Sequence, residues 1–101
     1  WHNWWNAPKT FAQVQKIDPV ASHASWMENF PWTRLGNVAM PSTQKPMLEM
    51  GRFQQVDPVR KKELLGDGNY GGLYQRSDED MLSIWSIAVE ETRAVMADSW
   101  V

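Results

Sequence analysis

The chain contains no cysteine, which excludes disulfides, thiolate zinc sites and a cysteine nucleophile and leads us to expect a reducing, cytoplasmic setting. It has no run approaching the ~18 apolar residues of a membrane-crossing helix. No charged stretch leads into an apolar one at its start, as a secretory leader requires. Positive charge is scarce too: ten Lys and Arg against twelve Asp and Glu give a formal net charge of −2, and only Arg60-Lys61-Lys62 forms a cluster. With no basic field to neutralise phosphates, neither nucleic acid nor a membrane is an expected partner. There are only two histidines, with no closely spaced pair, no nucleophile elbow and no Gly-Lys phosphate loop.

What is present is unevenly distributed. A length of 101 residues with 43% hydrophobic and 22% charged content suits one small domain rather than two. Seven of the residues are tryptophan. Rings of that size are placed in a core, a pocket or an interface rather than left in water. The sequence opens Trp1-His2-Asn3-Trp4-Trp5, where domain ends are usually polar and frayed, so it reads as a processed or partial chain. Trp1, Trp4 and Trp5 could stack on a planar or sugar-like ligand, seal a subunit interface, or belong to a core.

Punctuation along the chain predicts three helices. Asp18-Pro19-Val20 and Asp57-Pro58-Val59 repeat one tripeptide, in which an aspartate N-cap precedes proline at the first helical position. The first predicts a helix over 19–30, with Val20, His23, Ala24, Met27 and Phe30 on one stripe and Pro31 as its stop. The second predicts a short helix over 58–65 ended by Gly66. A third is expected over 77–97, capped by Ser77, with Asp78, Glu79 and Asp80 in the first turn, where the helix dipole favours acids. Its apolar residues recur at Met81, Trp85, Ala88, Thr92 and Val95, and again at Leu82, Trp85, Val89 and Met96, a width that suits a helix packed on a sheet. The expected strands are few: residues 37–40, and the end of another within residues 1–5. Residues 41–55 and 66–72 read as loop. Gly66-Asp67-Gly68 with Gly71-Gly72 resembles a phosphate cradle superficially, but lacks a preceding strand and a following lysine, so a tight turn is the expected role.

The stretch 22–28 carries the most chemistry. His23 and Glu28 could serve proton transfer or metal binding, or be a core histidine and a solvated acid. Five residues apart, they would lie about 140° apart on an ideal helix, too far round to chelate one ion.

Taken in order, Trp4-Trp5, His23-Ala24-Ser25-Trp26-Met27-Glu28, and the 66–72 turn feeding the 77–97 helix resemble the C-terminal part of the creatininase family, metal-dependent amidohydrolases with a His-Ala-Gly-x-x-Glu block, a glycine turn and a long closing helix. The resemblance implies an α/β fold, as the C-terminal segment or small subunit of a three-layer α/β/α domain. It implies that His23 handles a proton as an amide opens, that Glu28 is directed at a metal centre, and that Trp4, Trp5 and Ser22 bind substrate. The family's Glu-x-His motif, its aspartate and its Gly-His strand end are missing here. The implied divalent metal, zinc or manganese, would therefore be held mostly by residues outside this chain, on a complementary N-terminal polypeptide or subunit of a homo- or hetero-oligomer. Ser22 stands where creatinine hydrolases carry an acid, and Asn29-Phe30 where the block often continues Thr-Ser, so the small-molecule substrate is left open within C–N hydrolysis. Two other functions fit the residues: a non-catalytic module that packs on a partner through its tryptophans and terminal helix, and a carbohydrate-binding module built on Trp1, Trp4 and Trp5.

Overall fold

The computed structural model describes residues 1–48 and 56–99. Among these are three α-helices, α1 (Pro8–Ile17), α2 (Pro58–Leu65) and α3 (Asp78–Ser99), with one single 3-10 turn before α1 at Trp4–Asn6 and two between α1 and α2 at Trp26–Glu28 and Pro31–Thr33. No strand occurs among the described residues; the nearest approach is one isolated antiparallel bridge between Lys45 and Gly72. The expected α/β class is therefore corrected to an all-helical arrangement, with no α/β/α layering. Residues 37–40, expected as a strand, form no regular element, and residues 4–6 turn where a strand end was expected. Of the loop expected over 41–55, residues 49–55 lie outside the described residues.

The two helices with local caps form where expected. Asp57 Oδ1 accepts the N–H groups of Val59 (3.0 Å) and Arg60 (3.1 Å), Pro58 opens α2, and Gly66 closes it at φ 62°. The Ser77 hydroxyl accepts the Asp80 N–H at 3.2 Å, and three acids fill the first turn of α3.

The repeated tripeptide, however, does opposite work at its two sites. Asp18 ends a helix: it is the extended C-cap of α1 at φ −152°, and the following proline disfavours helical backbone there. Its buried carboxylate accepts the Val20 N–H (3.0 Å) and the Trp26 indole N–H (2.9 Å). The helix expected over 19–30 is replaced by a folded strap whose backbone bonds run to residues 70–73. Ser22 N–H donates to Gly71 O (3.3 Å), Tyr70 N–H to His23 O (3.0 Å), and Trp26 N–H to Leu73 O (2.7 Å). Those partners take the place of i−4 carbonyls, so stripe periodicity over 19–30 misled.

Helix α1 carries the opposite lesson. Its N-cap, Ala7, supplies no side-chain acceptor; Glu91 of α3 supplies one from 81 residues away. That carboxylate accepts the Lys9 N–H (2.9 Å), the Thr10 N–H (2.6 Å) and the Thr10 hydroxyl (2.6 Å), an anion on the positive end of a helix. α1 lies against α3, burying Thr10 and Val14 beside Met81, Ile84 and Ala88. The core joins Val14, Ala21, Trp26, Met27, Phe30, Met81 and Ile84, with Trp4, Ile17 and Leu73 at its edge.

One side of α3 is left partly uncovered. Leu82, Trp85, Val89 and Met96 are 46%, 44%, 44% and 54% exposed, so the described residues cover the second stripe of the helix only in part. Trp32 stacks on Phe30 (5.2 Å, 7°) and meets Trp85 edge-on (4.8 Å), which extends the same apolar face. The radius of gyration, 15.4 Å, exceeds the ~13 Å of a self-contained domain of about 100 residues.

Candidate functional site

The strap holds the reactive residues by tight backbone pairing. Gly71 and Gly72 let residues 69–73 lie directly on it: a Cβ at Gly71 would sit 2.7 Å from Val20 O, and one at Gly72 3.0 Å from Ala21 Cα. Asn69, buried, ties this turn from within by accepting the Gly71 N–H (2.8 Å) and donating to Gly72 O (3.2 Å). At its outer corner Asp67 binds Lys45 Nζ (2.6 Å) and the Tyr74 hydroxyl. The lysine first, then the tyrosine and the Asn69 N–H, hold the Asp67 carboxyl well below the usual carboxylate range. The glycine N–H groups of the turn are taken up within the protein, Gly68 by Leu65 O, Gly71 by Asn69 and Gly72 by Lys45 O. The phosphate-cradle resemblance is thereby resolved as a turn built for close approach.

Within the strap, Ala24 adopts φ 56°, a left-handed conformation that costs a residue with a Cβ roughly 1–2 kcal/mol. This bend and the 3-10 turn after it bring His23 and Glu28 together, against the 140° separation expected on a helix. His23 Nδ1 lies 3.8 Å from Glu28 Oε2, and the same oxygen accepts the Ala24 N–H. Both side chains are accessible, at 58% and 41%. They line a cleft of about 320 Å³ with Trp5, Phe11, Ala21, Ser22, Met27 and Tyr70, at the small end of ligand-pocket sizes. Three aromatic walls and one acid–base pair suit a small planar ligand that exchanges a proton.

Four of the residues singled out in the sequence, Trp5, Ser22, His23 and Glu28, thus share one cleft. Trp4 does not line it; its ring packs on Phe30 at 5.7 Å, beside the core. Trp1 is fully exposed, so the three N-terminal tryptophans have different surroundings and present no common stacking platform. Sequence reasoning missed Tyr70, whose ring centroid lies 4.5 Å from that of His23 at 50°. The available signal was its position just before Gly71-Gly72, in a turn already marked for close packing.

Among the described residues no three His, Asp or Glu side chains gather as a metal site. One carboxylate and one imidazole fall short of the three protein ligands a catalytic metal needs, so these residues do not fit a metal by themselves. No helix among the described residues is long and apolar enough to cross a membrane. Compared with protein-family models, curated proteins and solved structures, the chain gives no significant match.

Proposed function

We propose that this chain is the C-terminal part of a creatininase-like, cytoplasmic amidohydrolase that cleaves a C–N bond after joining a complementary polypeptide. The observation that carries the reading is the meeting of His23 and Glu28 in a cleft lined also by Trp5 and Ser22, residues that the family resemblance singled out together. In the reaction, water oxygen adds to the amide carbonyl carbon, the C–N bond breaks, and His23 delivers a proton to the departing nitrogen, giving a carboxylic acid and an amine. Glu28 steadies the imidazolium while it carries that proton. A divalent metal, zinc or manganese, held mainly by the complementary polypeptide, supplies polarisation of water when bound. The aromatic wall of Trp5 and Tyr70 receives the planar amide.

A second reading, a non-catalytic assembly module, is favoured by the partly uncovered face of Leu82, Trp85, Val89 and Met96. One set of measurements separates the two. Native mass spectrometry and elemental analysis of the purified assembly identify its chains and metals, and a panel of cyclic and linear amides reports hydrolysis. The hydrolase reading expects His23→Ala to cut turnover by about 10²-fold or more in an intact assembly. Near-normal turnover in that variant, with Trp85→Asp releasing the chain from its partner, establishes the assembly module instead.

A further inference from the structure

We infer that the partly uncovered face of α3 pairs with the same face of a second copy of this chain, the two helices running antiparallel about a two-fold axis at Val89; this goes beyond the amide chemistry and does not depend on it. Leu82, Val89 and Met96 recur every seven residues along α3, with Trp85 between the first two, and each of the four is between 44% and 54% exposed. An aromatic shelf lies beside them. Trp32, more than half exposed, meets the Trp85 ring edge-on at 4.8 Å, and Phe30 meets it at 5.6 Å. Phe30 and Trp85 continue into an open apolar groove that Trp4, Val89 and Met96 also line.

The stripe is its own complement. At 100° per residue, Leu82 and Met96 lie about 20° to either side of Val89, and Trp85 and Arg93 about 40° to either side. An antiparallel copy turned about Val89 therefore sets Val89 on Val89, Leu82 beside Met96 and Trp85 beside Arg93. The last two pairs occur twice, as an isologous interface requires. Arg93 is exposed and paired with Glu90 on its own helix (2.6 and 3.0 Å), so its guanidinium is free to lie on the second copy's Trp85 ring, a cation on an aromatic face. A parallel pairing would set Arg93 against Arg93 and the first-turn acids Asp78, Glu79 and Asp80 against their copies. The antiparallel one holds those acids about 30 Å apart and opposes the two helix dipoles. A helix about 33 Å long, with a contact strip about 20 Å wide once the aromatic shelf is counted, gives on the order of 650 Å² per copy. The total of about 1,300 Å² falls within the standard interface range of about 1,200–2,000 Å².

Sedimentation equilibrium of the purified chain over micromolar concentrations tests the pairing, with an expected mass of twice the chain's 11.7 kDa. Val89→Glu places two like charges on the axis and is expected to weaken the dimer by about 100-fold or more. Far-ultraviolet circular dichroism should be unchanged in that variant, because Val89 is not part of the core. The absence of native cysteine allows the register to be read by cross-linking. Val89→Cys is expected to form a disulfide with its own copy on mild oxidation, since Cα atoms facing each other across helices about 8–10 Å apart are about 4–6 Å apart. Leu82→Cys is expected not to, because its two copies lie about 21 Å apart; mixed with Met96→Cys, it should give the crossed disulfide. A mass of 11.7 kDa throughout, a dimer left intact by Val89→Glu, or self-cross-linking of Leu82→Cys as strong as that of Val89→Cys overturns the inference. So does a larger polypeptide that binds a monomeric chain and is released by Val89→Glu, which assigns the face to that partner instead.

Discussion

Glu91 is the most informative residue to remove, because it joins the two long helices through a cap that neither helix contains by itself. Its carboxylate accepts three donors, the N–H groups of Lys9 and Thr10 and the Thr10 hydroxyl, at 2.9, 2.6 and 2.6 Å. Thr10 is fully buried, so Glu91→Ala leaves its N–H and hydroxyl without their acceptor, a loss of about 2–3 kcal/mol. Removing the anion from the start of α1 adds roughly 0.3–1 kcal/mol. A total near 3 kcal/mol corresponds to a fall in Tm of about 12–24 °C for a chain of this size, measured by circular dichroism at 222 nm near pH 7. Glu91→Gln, which keeps an acceptor but loses the charge, should fall between. Burial pushes the Glu91 carboxyl upward, but the Thr10 hydroxyl and the N–H groups of Lys9 and Thr10 outweigh it and hold the group below its ordinary value. A carboxyl depressed by folding stabilises the folded state fully above its unfolded pKa of about 4.3. That stabilisation is lost as pH falls through the lower, folded value. The gap between wild type and Glu91→Ala should therefore be constant near neutrality and narrow in acid. A Tm for Glu91→Ala within about 3 °C of wild type at pH 7 refutes the tertiary cap, since the expected loss is several times larger.

The repeated Asp-Pro-Val tripeptide offers a paired comparison. Asp57→Ala removes a solvent-exposed N-cap from α2 and should cost about 1 kcal/mol. Asp18→Ala strips the acceptor from the buried Trp26 indole and from Val20, and should cost about 3 kcal/mol; equal effects in urea unfolding contradict the two roles. Gly71→Ala places a methyl 2.7 Å from Val20 O and 2.9 Å from Met47 Cα, both backbone atoms, so the turn must part from the strap. Accelerated amide exchange at Ser22 and Tyr70 is the expected sign, and native protection at both would show that the close approach is dispensable.

Helices α2 and α3 were legible because their caps are local. Asp57 reaches donors two and three residues away, and Ser77 a donor three away, so the relevant partners sit within one window of sequence. Helix α1 was overlooked because Ala7 offers no cap and Glu91 is more than eighty residues distant. The strap over 19–30 looked helical for the complementary reason. Of its expected stripe only Met27 and Phe30 are buried, while His23 and Ala24 are exposed, and its backbone partners lie in residues 70–73. The candidate site was legible by residue type and not by geometry: His23 and Glu28 were visible, while the bend that brings them within 3.8 Å depends on Ala24 at φ 56°. Periodicity carries no sign of that.

The sequence by itself determined the absence of thiol chemistry, both ends of α2, the start of α3, the glycine turn, and an apolar width on α3 greater than the described residues cover. Only the tertiary structure decided that Asp18 ends a helix rather than starting one, that Glu91 caps α1, that no sheet forms among the described residues, and that Tyr70 meets His23. The division follows the reach of the interactions. Caps and turns are closed by donors and acceptors a few bonds apart, so residue order fixes them. A buried carboxylate, an indole N–H or an unpaired strap takes whichever partner the packed core brings within hydrogen-bonding distance.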